Sequence, residues 1–567
     1  MSDRLERLRA AGVLSSLDVA LTRRLSRLGG EMREHVLLAV ALASRAVGQG
    51  HVCLDLGRTI EGGPLRDEAG AVIDGREWPE IEAWVTALRM STLVTLGVAD
   101  APRAPLVLDD GYRLYLRRYW MHQEQLADGL LTRAVSQNGI DDEVLRAGLS
   151  RWFTAPPEGE VDWQCVAAAT AVSRRLCVIS GGPGTGKTHT VVRILALAIE
   201  QALARGRRPP RIVLMAPTGK AAARLQEAVR SGVGELHCDP AVVAAMPAGA
   251  STIHRALGAT PRGRTPFRHH RERPLRADLV VIDEASMVDL ALMARVFDAL
   301  PAAAGVVLLG DQDQLASVEA GAVLGDICNS GDRRRLSAEH AARLSGLTGA
   351  PLAVDEHVPA LTDIGDSIVQ LQRTYRFNEG IARLAQAVNA GKAEEVWAVF
   401  DDAAEVSWHE PGADGGLGAA GERLVLERLA AFAAAVSPGE RLAALERFRV
   451  LCAHRRGPGG VEAVNEQIEQ LLAAHGVLEL DGRWYVGRPI LITRNDYQLR
   501  LFNGDVGIIV ADPDDASRRQ ALFVAADGTE RRLTPARLPP HETVFAMSVH
   551  KSQGSELDAV AVLLPPE

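Results

Sequence analysis

Cysteine is scarce in this chain of 567 residues. There are six, Cys53, Cys165, Cys177, Cys238, Cys328 and Cys452, and no two stand in C-x-x-C spacing. That argues against a disulfide framework or a cysteine metal knuckle, and it reads as reduced, mostly buried thiols in a cytoplasmic protein. His237 and Cys238 are neighbours with no second pair to make a ligand set. The start, "MSDRLERLRAAG", is charged and lacks an apolar core behind a basic stretch, so no secretion leader is expected. Apolar runs such as "VVRILALAI" are too short and too charged at their flanks to span a bilayer. A basic excess is also missing: 63 Lys and Arg against 72 Asp and Glu leave a net charge of -9. That argues against tight nonspecific coating of duplex nucleic acid, although a groove on an acidic protein can still be locally basic. Long repeats and disordered tails are absent too.

What is present is an ordinary globular mixture, 47% apolar and 24% charged, in a chain long enough for two to four domains. Up to about residue 150 the pattern is mainly helical. "EHVLLAVALASRAVGQG" carries a helical apolar period with a glycine stop, and "PLVLDDGYRLYLRRYW" alternates around a hairpin turn at Asp110-Gly111. This part is predicted to be a docking or packing domain. From about Val161, short apolar strands alternate with helices: "RRLCVISG", "RIVLMAP", "ADLVVIDEA" and "AGVVLLGD". Such alternation implies a parallel sheet covered on both faces. Residues 330–365 read as a connector. A second alternating block contains "RFRVLCAH", "RPILITRND", "TVFAMSVH" and "LDAVAVLLP". Within it, residues 506–542 read as a small all-β insertion of barrel type, with Asp527-Gly528 at a tight turn.

"VISGGPGTGKTHTVVRILALAI" holds a G-x-x-x-x-G-K-[ST] loop after a strand and before a helix. The loop Gly181, Gly182, Pro183, Gly184, Thr185 and Gly186 lets backbone N–H groups wrap phosphates at a helix N-terminus. Lys187 would reach the β/γ-phosphates, and Thr188 would place a hydroxyl on Mg²⁺. A glycine-rich turn without ligand is the plain alternative. In "ADLVVIDEASMVDL", Asp283 and Glu284 end an apolar strand, the edge where parallel sheets bind ligands. Asp283 would hold Mg²⁺ through its water shell, and Glu284 would orient or deprotonate the attacking water. "VVLLGDQDQLASVEAG" brings Asp311 and Gln314 to a third strand edge. Gln314 would sense the γ-phosphate, or the segment is simply a capped loop.

Taken in order, "DWQCVAAAT", "ISGGPGTGKT", "APTGKAAARL", "STIHRALG", "VVIDEASMVD", "LLGDQDQLASVEAGAVLGDI", "LQRTYRF", "LITRNDYQLRLFNGDVGI" and "SVHKSQGSE" resemble the superfamily 1 helicases. Within them they resemble the RecD family, the α subunits of RecBCD (exodeoxyribonuclease V) complexes. The matching stretches cover about Val161 to Glu556, and "GQGHVCLDL" near the N-terminus is similar to the same family. The larger helix-hairpin-helix region of RecD-like proteins that act alone is not expected here.

The resemblance implies two RecA-like motor domains, an α/β fold, with boundaries at 1–150, 151–360 and 361–567. It implies that Gln164 reads adenine, Arg376 contacts the γ-phosphate from the second motor domain and Glu556 contacts the nucleotide sugar. It implies DNA contacts from Thr218, Lys220, Thr252, His254, Arg255, Ser548, His550 and Ser552, on loops opposite the ATP-facing side. Hydroxyls and backbone amides on phosphates carry no base information, which suits a motor stepping over any sequence. The expected activity is ATP- and Mg²⁺-dependent 5′-to-3′ translocation on single-stranded DNA, unwinding duplex ends with RecB-like and RecC-like partners in double-strand break repair and recombination. No nuclease acid-and-lysine constellation is present, so nuclease chemistry is expected in a partner.

Two alternatives remain open: an ATP-binding regulatory or structural subunit that does not translocate, and another phosphate-loop enzyme such as a nucleotide kinase. "PRGRTPFRHHRERPLR", residues 261–276, is the most basic run, read either as a solvated loop or as a DNA-facing excursion. The chain stops at Glu567, where the family continues into a motif with a further arginine finger, and it is expected to lack that motif.

Overall fold

Helix Glu34–Gly48 is buried without interruption from Val36 to Ser44, because it forms the centre of an N-terminal module. Helices Ser16–Gly29 and Ile81–Arg89 pack on it, as does a small mixed sheet. That sheet holds β1 (Cys53–Asp55), β2 (Val94–Leu96), β3 (Leu106–Leu108) and β4 (Arg113–Leu116), in the order β1-β4-β3-β2. The hairpin expected around Asp110-Gly111 joins β3 and β4. Its left-handed residue is Tyr112, φ 59°, and the Asp109 carboxylate holds the turn by accepting from the Arg113 backbone at 2.8 Å. The structure, a computed structural model, describes residues 2–63, 78–97, 104–154, 157, 160–259, 267–315, 319–329, 336–352, 364–372, 379–413, 415–494, 496, 498–499, 501–515, 517–524 and 529–564. The chain divides into two compact units, Met1–Arg376 and Phe377–Glu567.

The first unit also contains a six-stranded sheet of β5 (Leu176–Gly181), β6 (Ile212–Ala216), β7 (Ala250–Thr252), β8 (Leu279–Ile282), β9 (Gly305–Gly310) and β10 (Ile368–Leu371). The order is β10-β5-β9-β8-β6-β7, and every pairing is parallel. Its strands lack polar alternation because both faces are buried. Cys177, Ile179, Val281, Val307 and Leu309 face one core, packed by helices Trp163–Ser173, Lys187–Ala204 and Gly219–Glu235. Val178, Val280, Ile282, Val306 and Leu308 face the other, packed by helices Arg117–Leu131 and Leu290–Ala299.

One edge of this sheet is pinned by a buried ion pair. Arg174 lies 3.5 Å from Asp366, with side chains only 7% and 9% exposed. Arg174 also donates to Ser367 Oγ and to the Ala134 carbonyl, each at 3.0 Å. Asp366 accepts from the Ser337 amide at 2.8 Å and its hydroxyl at 2.7 Å. Strand β10 begins two residues after Asp366, so the pair sets where the edge strand joins β5.

The second unit holds a parallel sheet of β11 (Phe448–Cys452), β17 (Ala546–Ser548) and β18 (Ala559–Leu563), with β11 in the centre. An antiparallel sheet is inserted in it: β12 (Pro489–Ile492), β13 (Val506–Ala511), β14 (Arg519–Val524), β15 (Glu530–Leu533) and β16 (His541–Thr543), in the order β15-β14-β13-β12-β16. Two expectations change here. The run "RPILITRND" supplies β12 of this antiparallel sheet rather than a strand of the parallel one, because its partners are β13 and β16. The all-β part therefore starts before residue 506, and it is an open sheet among the described residues, with β15 and β16 as its two edges. The turn expected at Asp527-Gly528 lies outside the described residues.

Replacing Asp366 by Ala takes the paired carboxylate away from the buried Arg174. The expected cost is about 3–5 kcal/mol, read as an earlier denaturant transition of the first unit. Asp142→Ala removes the more exposed partner of Arg343, and its expected cost is below about 1 kcal/mol. Equal shifts would show that the buried pair contributes no more than the surface one.

Candidate nucleotide-binding site

The glycine loop begins where β5 ends. Gly184 and Gly186 have φ of 75° and 81°, left-handed values that side chains resist. They turn the backbone into the N-terminus of helix Lys187–Ala204. The Lys187 ammonium donates to the carbonyls of Gly181 and Gly182, the latter at 2.9 Å. Thr185 Oγ1 donates to Gly182 O at 2.8 Å. Gln164, on helix Trp163–Ser173 with Asp162 as its cap, donates through Nε2 to Thr185 O at 2.9 Å. A Cβ on Gly186 would lie 2.3 Å from that Nε2, and a Cβ on Gly181 would lie 2.9 Å from Leu371 Cβ. Gln164 and β10 thus enclose the loop from two sides. Pro183 is exposed, and Thr188 is half-buried as the second residue of the helix.

Strands β8 and β9 end beside this loop. Asp283 follows β8 and is buried, and Glu284 next to it adopts a left-handed φ of 53°. Asp311 follows β9 and is buried as well. Burial pushes all three carboxyl groups above their ordinary range, and the Lys187 charge opposes each rise. The Asp283 charge adds to the rise at Glu284, and Arg224 opposes it. Burial in turn pushes Lys187 down, against the pull of Asp311, Glu284 and Asp283. The site is therefore one desolvated cation among three desolvated acids. Gln314 hydrogen-bonds the Asp311 side chain. Among the described residues no group of three or more His, Cys, Asp or Glu is arranged to hold a metal ion, so these carboxylates form no cage of their own.

Four neighbours were not singled out by sequence reasoning. Ser286 Oγ and Gln312 Nε2 are buried with no hydrogen-bond partner. Ser180 Oγ accepts from the Gln312 amide at 3.4 Å, tying the β5 and β9 ends together. Arg224 acts on Glu284 from helix Gly219–Glu235. Its signal was available in "APTGKAAARL", where it stands one turn after Lys220.

The candidate DNA residues of this unit stand at the ends of β6 and β7. Those strands pair Ala216 with Thr252, so Thr218 and Thr252 emerge side by side. Each hydroxyl caps a helix, Thr218 accepting from Ala221 N at 3.1 Å and Thr252 from Arg255 N at 3.3 Å. Lys220, His254 and Arg255 are exposed on those helices. Because all six strands are parallel, these residues share a sheet edge with the glycine loop and are separated from it by strand order. The expectation of loops on an opposite side is corrected accordingly. The described part of the basic run folds back on the same helix. Phe267 meets the His254 ring at 5.8 Å, and Arg268 N donates to Gly258 O at 2.9 Å. Arg271 faces Asp298 at 3.6 Å.

In the second unit, Ser548 is buried at the end of β17 and His550 is exposed. Ser552 Oγ donates to Val549 O at 2.8 Å. Glu556 is exposed between helix Val549–Ser552 and β18. Arg376 lies outside the described residues.

Residues 10–115 match the family model of the RecBCD enzyme subunit RecD, N-terminal domain, and residues 164–320 match that of an AAA domain. The chain is 40% identical over 566 residues to the RecBCD enzyme subunit RecD of Mycolicibacterium smegmatis, across 98% of this chain and 89% of that relative. It is 31% identical to the RecBCD enzyme subunit RecD of Haemophilus influenzae, across 94% and 85%. It is 29% identical to the ATP-dependent RecD2 DNA helicase of Deinococcus radiodurans, across 84% of this chain and 55% of that one. No described helix is long and apolar enough to cross a membrane.

Two outcomes test this geometry. Folded Asp283 binds its proton more tightly than the unfolded chain does, so stability falls as pH rises from about 3.8 through its raised value. Asp283→Asn removes that penalty. It is expected to raise the melting temperature at pH 8 by about 2–4 °C per kcal/mol relieved, to change it little at pH 4, and to abolish ATP turnover. A melting temperature that falls at pH 8 would overturn the desolvation account. Neutralising Arg268, Arg271 and Arg273 is expected to flatten the salt dependence of single-strand binding by about 1–2 log units per log unit of salt. An unchanged slope would make the run a solvated loop.

Proposed function

The chain belongs to the RecD family of RecBCD enzyme subunits, ATP-dependent DNA helicases, and from that premise we propose how its site performs the work. The observation that carries the reading is the Lys187 ammonium, held on the Gly181 and Gly182 carbonyls beside buried Asp283 and Asp311 and half-buried Glu284. A buried ammonium needs acceptors. Phosphate oxygens are stronger acceptors than backbone carbonyls, so the β/γ-phosphates of ATP draw Lys187 off the loop.

The residues fit Mg²⁺ as well. Thr188 and Asp283 supply one hydroxyl and one carboxylate, and the lack of a full protein cage suits an ion that keeps waters and phosphates as ligands. Thr188 and Asp283 would hold the ion, which would supply neutralisation of phosphate charge. Glu284, whose carboxyl is pushed up by burial and by Asp283, accepts a proton from the attacking water. Gln314 reports the γ-phosphate, and the Gln164 amide keeps one donor and its oxygen for adenine while it holds Thr185. Arg376 and Glu556 are the remaining nucleotide contacts in this reading.

The working division is a partner-docking domain over 1–150 and two motor domains, the first taken past β10 to about residue 376 rather than ending at 360, because Ile368–Leu371 pairs with β5. Thr218, Lys220, Thr252, His254, Arg255, Ser548, His550 and Ser552 hold the strand by its phosphates. Translocation runs 5′-to-3′ in the cytoplasm. RecB-like and RecC-like subunits are the partners in double-strand break processing, and one of them carries the nuclease.

The decisive measurement is ATP hydrolysis by this chain with and without single-stranded DNA. Stimulation by DNA is expected, with Glu284→Gln lowering kcat by about 10²–10⁴ while nucleotide binding persists. Lys187→Ala is expected to lose nucleotide binding as well. ATP binding without DNA-stimulated turnover would instead make the chain a regulatory subunit.

A further inference from the structure

Two tryptophans are more than a third exposed among the described residues, and they touch each other. Trp397 is 53% exposed and Trp408 43%, their rings edge to face at 5.3 Å. Phe400 packs against both, at 5.9 and 6.0 Å. Trp397 and Phe400 sit on the second helix of a helical hairpin of the second unit, helices Glu379–Asn389 and Ala393–Asp402, which have each other as main packing partner, and Trp408 stands on the segment that follows. The first of these helices repeats the pattern: Ile381 and Val388, seven residues apart on one face, are 40% and 58% exposed. None of these residues belongs to the nucleotide site or the strand-holding set. Exposed aromatics already locked against one another lose little freedom on docking, and indoles are enriched among the residues that anchor interfaces.

The surrounding charge selects the occupant. Residues 379–410 carry seven acids and two bases. Both bases are answered within the hairpin, Lys392 by Glu395 at 2.7 Å and Arg383 by Asp402 at 3.4 Å. Phosphates of DNA or of an anionic membrane are repelled by such a surface. A second copy of the chain would bring like charges face to face across a two-fold interface. We propose that Trp397 and Trp408 anchor a partner protein that offers an apolar pocket rimmed by lysine and arginine, and that a subunit of the assembled RecBCD-type enzyme supplies this pocket. The proposal rests on the reading that the chain works in that assembly.

The test uses the full chain with the RecB-like and RecC-like subunits of its own organism, and measures the affinity of assembly as a function of salt. Trp397→Ala with Trp408→Ala is expected to weaken assembly by about 30-fold or more. DNA-stimulated ATP hydrolysis by the variant chain alone stays unchanged, which shows that it folds. Glu394→Lys with Asp401→Lys, at exposed rim positions, is expected to weaken assembly and flatten its salt dependence. Wild-type affinity in both double variants overturns the proposal and leaves the family reading standing. Loss of single-strand binding with assembly intact makes the patch a DNA site and also overturns it. Failure of the unmodified chain to assemble overturns both readings together.

Discussion

A parallel sheet buried on both faces has one place left for polar chemistry, the edge where its strands end. The six strands of the first unit bury Cys177, Ile179 and Leu309 on one side and Val178, Ile282 and Leu308 on the other. The candidate site residues gather past Gly181, Ala216, Thr252, Ile282 and Gly310, where each strand stops. Strand order then decides the neighbourhoods. Placing β5, β9 and β8 together gathers the glycine loop, Asp311 and Asp283 at one end of the edge. Placing β6 beside β7 gathers Thr218 and Thr252 at the other. Both candidate sites follow from a single packing constraint, and helix Gly219–Glu235 carries both Lys220, a candidate strand contact, and Arg224, whose charge acts on Glu284.

The same burial that makes the sheet stable makes its edge costly. Three acids pushed up and one ammonium pushed down represent a site held away from its electrostatic optimum until a ligand arrives. Ser286 Oγ and Gln312 Nε2, buried without partners, belong to the same condition. The strain is local because the scaffold beneath is over-determined. Gln164 and Leu371 leave no room for a side chain at Gly186 or Gly181, and the Arg174–Asp366 pair fixes the strand that carries Leu371. A loop so enclosed tolerates unfavourable charges without rearranging to relieve them.

Much of this was legible in the sequence. Continuous apolar runs such as "ADLVVIDEA" announced strands covered on both faces, and the glycine spacing announced the loop. What stayed hidden was set by partners distant in the chain. "RPILITRND" reads like a parallel strand, yet β13 and β16 claim it for the antiparallel sheet, and no local property of those residues distinguishes the two. Tyr112 takes the left-handed position in a turn whose Asp110-Gly111 looked better suited, because the Asp109 carboxylate and Arg113 hold it from outside. Arg224 stands within a quoted motif but carried no assigned role, since its bearing on Glu284 emerges only when two separate strand ends meet.

Charge shows the same limit of whole-chain averages. A net charge of -9 argued against nonspecific coating of nucleic acid, yet the acidity is uneven. Residues 379–410 hold seven acids and two bases, more than half of the chain's excess in one helical hairpin and the short segment that follows it. The rest of the chain is close to neutral. The basic residues that fold against His254 therefore sit on a background far less repulsive to phosphate than the total implies. Segregation of this kind lets one molecule hold DNA by one surface and deny it another. A motor that must keep its strand in a single track gains as much from a surface that repels phosphate as from one that attracts it.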